Sequence, residues 1–273
     1  MSETCFEMQK RFTTPALIAE KDLYSIKFAV DPEEIRATQR LRYKVFNVEQ
    51  GKGLDSANRN GIDCDEFDDY CLHLIVEKKD DSMPVGTYRI NIGPMADCDI
   101  GFYSSREYAI TGFDAIQRQV LEVGRSCVSP EYRNGTVVAL LWAGISEVLA
   151  RTRMRYLTGC VSLEDTRPEV AWAVYDYLCE NGKLSGEVTA VPKEGFELPR
   201  PEQEKIDAIR NNRLEFRHAL PPLLKGYLRI GAKICGPPAF DYEFGTSDFL
   251  ILMDVSKLPD RYSKHFNVRE MDF

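Results

Sequence analysis

The stretch LEVGRSCVSPEYRNG (residues 121–135) is the feature of this sequence that most restricts the fold. It predicts an apolar strand over Gln119–Val128, followed by a turn that leads into a helix. Glu122 and Arg125 lie within the apolar part, and side chains alternate along a regular strand, so the two charges would face opposite sides. A β-bulge at Gly124 shifts this alternation by one residue and brings both charges to one face.

The segments around this stretch predict strands that alternate with helices. Asp31 is a fair N-cap for the helix that follows it, and CLHLIVEKK and VGTYRINI predict a β-hairpin. The apolar spacing of TVVALLWAGISEVLARTRM predicts another helix. The fold class is therefore α/β (α+β), a mixed and mostly antiparallel sheet with a bulged, splayed central strand and helices on both faces. We expect an N-terminal extension over residues 1–23 and a single domain over 24–273, with an insertion around 186–218.

Composition and charge exclude several classes of protein. The 273 residues carry a formal net charge of -8, which disfavours a general nucleic-acid-binding surface. No apolar run reaches the ~18 residues of a membrane span, and the first residues lack the apolar region of a secretory signal. We therefore expect a cytoplasmic protein, with peripheral contact at the inner membrane surface left open.

Familiar ligand motifs do not occur in the sequence. The eight cysteines form no CxxC pair and the three histidines have no ligand spacing to them, so we expect reduced thiols and no metal site. Phosphate-loop, dinucleotide, GxSxG and HExxH motifs are also missing. Two features still favour a ligand: a helix N-terminus after Gly135 can bind phosphate, and a splayed, bulged strand opens a gap for a pantetheine arm.

LEVGRSCVSPEYR followed by an apolar helix resembles the fourth strand and third helix of the GNAT acyltransferase superfamily. The chain also resembles acyl-homoserine lactone synthases, a GNAT branch, in an early-helix Arg and Phe, a DxxD, a strand Arg and an ExxR. It is more similar still to the ornithine N-acyltransferase (hemolysin-like) family, in blocks that cover most of residues 32–266. Those blocks include LRYKVF, DEFDDYCLHLIV, VGTYRI, GFYSSREY and LPPLLKGYLRIGAKICGPPAFDYEFGTSDFLILMDV.

The resemblance implies an N-acyltransferase with no permanently bound cofactor. A 3-hydroxy fatty acyl group would move from acyl carrier protein to the α-amino group of ornithine, giving a lyso-ornithine lipid. Donor-binding residues are then expected on the bulged strand and before the next helix: Val123, Gly124, Cys127, Arg133, Asn134 and Gly135. The last three belong to a segment that contains only half of the usual GNAT phosphate loop.

Glu122 and Arg125 are the expected catalytic residues. An amine attacks a thioester only as the free base, and a carboxylate such as Glu122 can accept its proton directly or through a water. The alternative for Glu122 is a structural ion pair with Arg125, and the two roles are compatible. Arg125 would either orient the acids or reach the carrier.

The resemblance places five further residues at the acceptor site: Arg42, Phe46, Asp65, Asp68 and Arg89. The two aspartates suit a cationic amino acid, or else they cap an acidic turn. Arg42 would clamp the substrate carboxylate or pair with the acidic loop, and Phe46 lies on the same helix face as a packing residue. Arg89 lies in a strand and needs an acidic partner.

Alternatives remain for the docking surface and for the function. A carrier protein would dock on one of two basic patches, which are otherwise solvated helix ends: Arg151, Arg153 and Arg155 with Arg133, or Lys225 with Arg229. A covalent role for Cys127 is a minor alternative, because it alternates as a core residue. The competing functions are an acyl-homoserine lactone synthase, another N-acyl amino acid synthase such as one for acyl-tyrosine, and a non-catalytic lipid-binding or carrier-binding module.

Overall fold

A computed structural model describes residues 16–98 and 100–259 of the chain. Contacts divide these residues into two compact units. The first unit holds the described residues up to Phe102 together with Arg118–Arg155, and the second holds Tyr103–Gln117 and Tyr156–Pro259. The single domain over 24–273 and the insertion around 186–218 stay predictions.

Strands and helices are named in chain order. The strands are β1 (Leu17–Lys21), β2 (Tyr24–Ala29), β3 (Leu72–Lys78), β4 (Pro84–Ile92), β5 (Tyr108–Thr111), β6 (Val120–Val128), β7 (Tyr156–Leu163), β8 (Thr189–Pro192), β9 (Lys233–Ile234), β10 (Ala239–Asp241) and β11 (Thr246–Asp254). The helices are α1 (Pro32–Tyr43), α2 (Gly93–Cys98), α3 (Ser104–Glu107), α4 (Gly135–Thr152), α5 (Pro168–Glu180), α6 (Gln203–Asn211), α7 (Arg213–Ala219) and α8 (Pro222–Arg229).

The sheet of the first unit runs in the order β1-β2-β3-β4-β6, and each neighbouring pair is antiparallel. The predicted hairpin is β3 and β4, and the predicted strand of the opening stretch is β6. β1 lies inside the predicted N-terminal extension, yet it pairs with β2 as an edge strand. Residues 1–15 of that extension lie outside the described residues.

The second unit has its own antiparallel pairs, in which β11 is flanked by β7 on one side and β10 or β9 on the other. β5 pairs with β8 in a separate two-stranded sheet. The sequence predicts neither of these two strands, nor helix α7. Helices α5 and α6 pack through the buried side chains of Val170, Ala173, Ile206 and Ile209.

Helix α1 begins at the residue that the sequence predicts. Asp31 accepts a hydrogen bond from the Glu33 N–H, at 2.8 Å, and Glu34 accepts one from the Asp31 N–H, at 3.2 Å. This capping box satisfies N–H groups that the first helical turn leaves without partners. After Tyr43 the chain continues as a wider π-helical turn, Lys44–Glu49.

Helices cover both faces of the first unit's sheet, as predicted. Helix α4 packs on the face that carries Ile26, Leu74 and Gly86. Helix α1 covers the other face, where Leu41 packs against Cys127 of β6. Among the described residues, α4 alone is long and apolar enough to cross a membrane by length and composition, and its Val137 and Gly144 lie against the sheet.

Gly144 lets α4 approach the sheet closely. A Cβ at this position would lie 2.6 Å from Leu74 Cδ1 and 2.7 Å from Ile26 Cδ1, and both of these side chains are fully buried. We expect Gly144→Val to lower the free energy of unfolding by about 2 kcal/mol, because an overpacked core must shift backbone and rotamers. The measurement is urea denaturation followed by circular dichroism.

Gly226→Val is the matched control, because Gly226 is also inside a helix but a Cβ there meets no heavy atom within 4 Å. Both variants gain the same small helix propensity, so their difference reports packing alone. Equal stability of the two variants would contradict the close approach of α4 to the sheet.

Candidate active site

Strand β6 carries the β-bulge that the sequence predicts. Thr87 of β4 lies opposite Cys127, and Arg89 lies opposite Gly124. The stretch from Gly124 to Cys127 therefore advances three residues along β6 while β4 advances two. The residue in the left-handed backbone region is Arg125, with φ of 47°, and not the neighbouring glycine. A side chain in this region costs about 1–2 kcal/mol, which contacts of the same residue must offset.

The bulge places the two charged residues of β6 on one face of the sheet. Glu122 lies opposite Asn91, and Gly124 lies opposite Arg89, so these residues share the face that α1 covers. Arg125 Nη2 contacts Asp65 Oδ2 at 2.9 Å, and Asp65 also binds Arg89. The predicted bulge and its effect on Glu122 and Arg125 are therefore confirmed.

The acidic turn between α1 and β3 uses its aspartates as caps as well as ion-pair partners. Asp65 Oδ1 accepts from the Phe67 N–H, and Asp68 Oδ2 accepts from the Asp65 N–H, both at 2.9 Å. Asp65 is thus the N-cap of the short 3₁₀ turn Glu66–Asp69, and Asp68 within the turn completes the capping box. Local hydrogen bonds of this kind orient both side chains before any long-range contact forms.

Three arginines from three elements converge on this turn. Arg42 of α1 binds Asp68 through two contacts, of 2.7 and 2.8 Å, in a bidentate pair that is buried on both sides. Arg89 of β4 lies 2.5 Å from Asp65 Oδ1 and 3.3 Å from Asp68 Oδ2. The turn therefore ties α1 to the two sheet strands that carry Arg89 and Arg125.

Asp63 is a member of this network that the sequence analysis missed. Its side chain is fully buried, 2.7 Å from Arg42 Nε and 3.6 Å from Arg125 Nε. The contact between Arg42 Nε and Asp63 Oδ1 is an ion pair without hydrogen-bond geometry. Arg42 Nη2 donates a hydrogen bond to the backbone oxygen of Asp63. The alternation of acids in DCDEFDD was the available signal, because positions 63 and 65 share one side of an extended segment.

The network joins three guanidinium groups and three carboxylates: Arg42, Arg89, Arg125, Asp63, Asp65 and Asp68. Burial raises the pKa of Asp68, but the hydrogen bond and charge of Arg42 outweigh it and hold this pKa well below its usual range. For Asp65, burial is likewise outweighed by the charges of Arg89 and Arg125, which lower its pKa. Both acids therefore stay ionised at neutral pH, and their contact with substrate stays a prediction.

His73 of β3 lies against the buried side of the network. Its Nε2 is 2.9 Å from the backbone oxygen of Asp68 and 3.6 Å from Asp68 Oδ1. Burial lowers the pKa of His73 to about 4, against the opposing charge of Asp68. The ring is therefore neutral at pH 7, and its Nε2–H donates to the Asp68 backbone oxygen.

Phe46 and Cys127 are packing residues of the α1 face. Phe46 contacts the buried cluster of Leu41, Val45 and Cys127. Burial raises the pKa of the Cys127 thiol to about 12, so the nucleophilic thiolate is scarce at neutral pH. A covalent acyl-cysteine at this position is therefore disfavoured. The described cysteines whose side chains are placed are free thiols, as predicted.

The donor-binding residues predicted on β6 fall on different faces. Val123 lies opposite Ile90 and is buried, on the other face from Gly124. A Cβ added at Gly124 would meet no heavy atom within 4 Å, so there is open space above the strand on the Glu122 face. A ligand can approach the backbone here, which is a usual role of glycine in a strand.

The predicted phosphate site at the start of α4 is already occupied by protein groups. Asn134 Oδ1 accepts from the N–H groups of Thr136 and Val137, at 3.1 Å each. The Thr136 hydroxyl contacts the Asp22 carboxylate at 3.2 Å. Arg133 forms a 2.6 Å ion pair with Glu49. A phosphate would have to displace the Asn134 cap and accept a nearby carboxylate.

Glu107, Cys160 and Asp248 of the second unit bring one ligand atom each within 4.8 Å of one another. Such a donor set fits a divalent cation by chemistry. Tyr108 lies beside it and donates to the Asp248 backbone oxygen at 2.6 Å. Burial, and then the charges of Cys160 and Asp248, raise the pKa of Tyr108.

Comparison with known proteins places this geometry in a known class. The sequence profile of the GNAT acetyltransferase domain matches residues 41–143. An L-ornithine N(alpha)-acyltransferase of Agrobacterium fabrum is 34% identical over 250 residues, which is 88% of this chain and 84% of the relative. The enzyme of the same name from Brucella abortus is 32% identical over 260 residues, 91% of this chain and 90% of the relative.

Among solved structures, an N-acyl amino acid synthase from uncultured soil microbes covers 91% of this chain and 98% of its own, with 12% identity and a TM-score of 0.46. The matched domain and the curated relatives define this chain as an acyltransferase with a GNAT domain. It belongs to the L-ornithine Nα-acyltransferase family. The predicted fold class and family resemblance are thereby confirmed.

Removal of the Asp68 charge tests the network. We expect Asp68→Asn to lower the free energy of unfolding by about 3 kcal/mol, because it leaves the buried Arg42 guanidinium with one carboxylate in place of two. Asp69→Asn is the control, since Asp69 is the exposed neighbour in the same turn. Urea denaturation at pH 7 measures both, and similar losses in the two variants would contradict the role of Asp68.

The lowered pKa of His73 predicts a loss of stability in mild acid. An unfolded histidine binds its proton near pH 6.5, whereas folded His73 does so only near pH 4. The unfolded state therefore gains protons first, so stability falls as the pH decreases from about 6.5 to 4. Between pH 7 and pH 5 we expect a loss of about 2 kcal/mol from this residue.

His73→Gln is the variant that isolates this effect, because glutamine keeps a donor for the Asp68 backbone oxygen but does not titrate. Between pH 7 and pH 5 the free energy of unfolding should fall in both proteins, and the fall should be about 2 kcal/mol smaller in His73→Gln than in the wild type. The same pH dependence in both proteins would contradict a neutral, buried His73.

Proposed function

We propose that this acyltransferase moves a 3-hydroxy fatty acyl group from acyl carrier protein to the α-amino group of ornithine. The product would be a lyso-ornithine lipid. The observation that carries the proposal is the face of the bulged strand β6 on which Glu122 lies two residues from Gly124, where an added Cβ would meet open space. A thioester and an amine can meet there next to a proton acceptor.

The reaction needs one base and no permanent cofactor. The amine nitrogen attacks the thioester carbonyl carbon, the C–N bond forms, and the C–S bond breaks. Glu122 takes the proton that the amine loses, and the departing sulfur leaves as a thiol once it receives a proton. A carboxylate is a sufficient base, because the α-amino group has a pKa near 8 and is partly deprotonated at neutral pH.

Ornithine as the acceptor is supported by the names of the curated relatives. Each of them is called an L-ornithine N(alpha)-acyltransferase, and this chain aligns with 83% to 95% of their lengths. In the proposed mechanism the Arg–Asp network fixes the backbone of β6. Arg125 connects the bulge directly to Asp65.

Acyl carrier protein as the donor is supported by the capped start of α4. Coenzyme A carries a diphosphate that needs free donors, and here Asn134 uses the N–H groups while Asp22 adds a negative charge. A carrier protein would be recognised through basic surface side chains. Lys225 and Arg229 of α8 are exposed, and so is Arg153 at the end of α4. A cytoplasmic enzyme with peripheral membrane contact fits a soluble donor and a lipid product.

The test is a transfer assay with purified protein. A 3-hydroxyacyl carrier protein and the matching coenzyme A thioester are each offered with ornithine, lysine, tyrosine and S-adenosylmethionine, and products are identified by mass spectrometry. We expect an N-acyl-ornithine adduct with the carrier-bound donor. Adducts with another amine alone would change the acceptor, faster transfer from coenzyme A would change the donor, and no adduct at all would favour a binding module.

Replacement of Glu122 tests the base. We expect Glu122→Gln to lower kcat by about 10²-fold or more, because the amide cannot accept the proton. Glu131→Gln is the control, since Glu131 is an exposed acid on the turn after the same strand. Full activity of Glu122→Gln would remove Glu122 from this role.

A further inference from the structure

Asn91 of β4 lies directly opposite Glu122 on the face of the sheet that also carries Arg89 and Gly124. The residue is 3% exposed. Its Nδ2 donates to the backbone oxygen of Gly101 at 2.9 Å. This bond fixes the orientation of the amide, because a flipped side chain would bring Asn91 Oδ1 against the backbone oxygen of Gly101, and neither atom can donate.

The other end of the Asn91 amide has an unused acceptor. In the described part of the chain, Asn91 Oδ1 has no hydrogen-bond partner although it is buried. Native proteins satisfy most buried polar atoms, so an acceptor left open beside a candidate active site indicates a missing donor.

Space for that molecule lies diagonally across the two strands. Gly124 of β6 is the diagonal neighbour of Asn91 of β4 on this face, because Gly124 lies two residues after Glu122. A Cβ added at Gly124 would meet no heavy atom within 4 Å. Directly opposite residues of an antiparallel pair have Cβ atoms ~5 Å apart. The side chains of Asn91 and Glu122 therefore begin at neighbouring points on the face that has the open space at Gly124.

We propose that Asn91 is a substrate-binding residue whose Oδ1 accepts a hydrogen bond from the amine that is acylated. This inference rests on the proposed function and deepens it. A neutral primary amine has two N–H groups and one lone pair. With one N–H on Asn91 and the other on Glu122, the lone pair points at the thioester carbon. The C–N bond then forms, Glu122 takes the proton, and the C–S bond breaks to release a thiolate, which becomes the thiol when Glu122 or water gives it a proton.

The pair of acceptors also explains a preference for primary amines. A hydroxyl group has one hydrogen, so it fills one acceptor and leaves the other without a donor. A secondary amine such as Nα-methylornithine has one N–H when neutral and has the same defect. A site built to bind two N–H groups rejects substrates that lack one of them, because a buried acceptor is left unsatisfied.

The test compares steady-state kinetics of the wild type and Asn91→Leu, which has similar volume but no acceptor. We expect KM for ornithine to rise about 10-fold or more, while KM for the acyl donor changes less than about 2-fold. The wild type should prefer ornithine over Nα-methylornithine, and in Asn91→Leu this preference should be smaller by a similar factor. Thr87→Val is the control, because Thr87 is buried on the same strand and its hydroxyl already donates to the Leu74 backbone oxygen.

Ornithine binding without donor, followed by isothermal titration calorimetry, separates this inference from the proposed function. Weaker binding by Asn91→Leu than by Thr87→Val supports the inference even if ornithine proves not to be the acceptor in turnover. Unchanged KM and unchanged discrimination in a folded Asn91→Leu, with ornithine still acylated, overturn the inference and leave the function standing. A wild type that neither binds nor acylates any primary amine overturns both.

Discussion

The bidentate pair between Arg42 and Asp68 is the interaction on which the candidate site depends. It is buried on both sides, so each charge requires the other to offset the cost of leaving water. Asp68 also accepts from the Asp65 N–H, and Asp65 in turn binds Arg89 and Arg125. One helix, one turn and two strands are therefore held in register by a single network of charges, and the face of β6 that carries Glu122 is part of it.

The strain at the bulge has its explanation in this network. Arg125 adopts a left-handed backbone conformation that glycine would adopt more easily, although glycine would supply no guanidinium for Asp65. The extra residue lies between Gly124 and Cys127, so Arg125 reaches Asp65 on the face where Glu122 lies opposite Asn91 and where there is open space at Gly124. Backbone strain and the placement of the Arg125 charge are thus consequences of one inserted residue.

The sequence predicted the features that depend on neighbouring residues. The Asp31 cap, the hairpin of β3 and β4, and the bulge near Gly124 each follow from a few adjacent positions. It did not separate buried Asp63 from exposed Asp69, because both are acids in one loop and burial is decided by distant arginines.

The missed β5–β8 pair has the same cause. The pair joins Tyr108 to Pro192, across more than eighty residues, and each strand is too short to show a period. Likewise, no local pattern could indicate that Arg125, and not Gly124, has the positive φ, because its ion-pair partner Asp65 is 60 residues away.

Burial of the Arg–Asp network also decides how the protein responds to salt. Dissolved ions weaken attraction between charges that they can surround, over a Debye length of about 8 Å at physiological ionic strength. Arg42 and Asp68 are each 1% exposed, so counter-ions cannot reach between them. Surface pairs such as Lys257 with Glu187 lose strength in concentrated salt, whereas the pair that holds the acidic turn does not. The geometry around Glu122 is therefore insulated from the ionic composition of its surroundings.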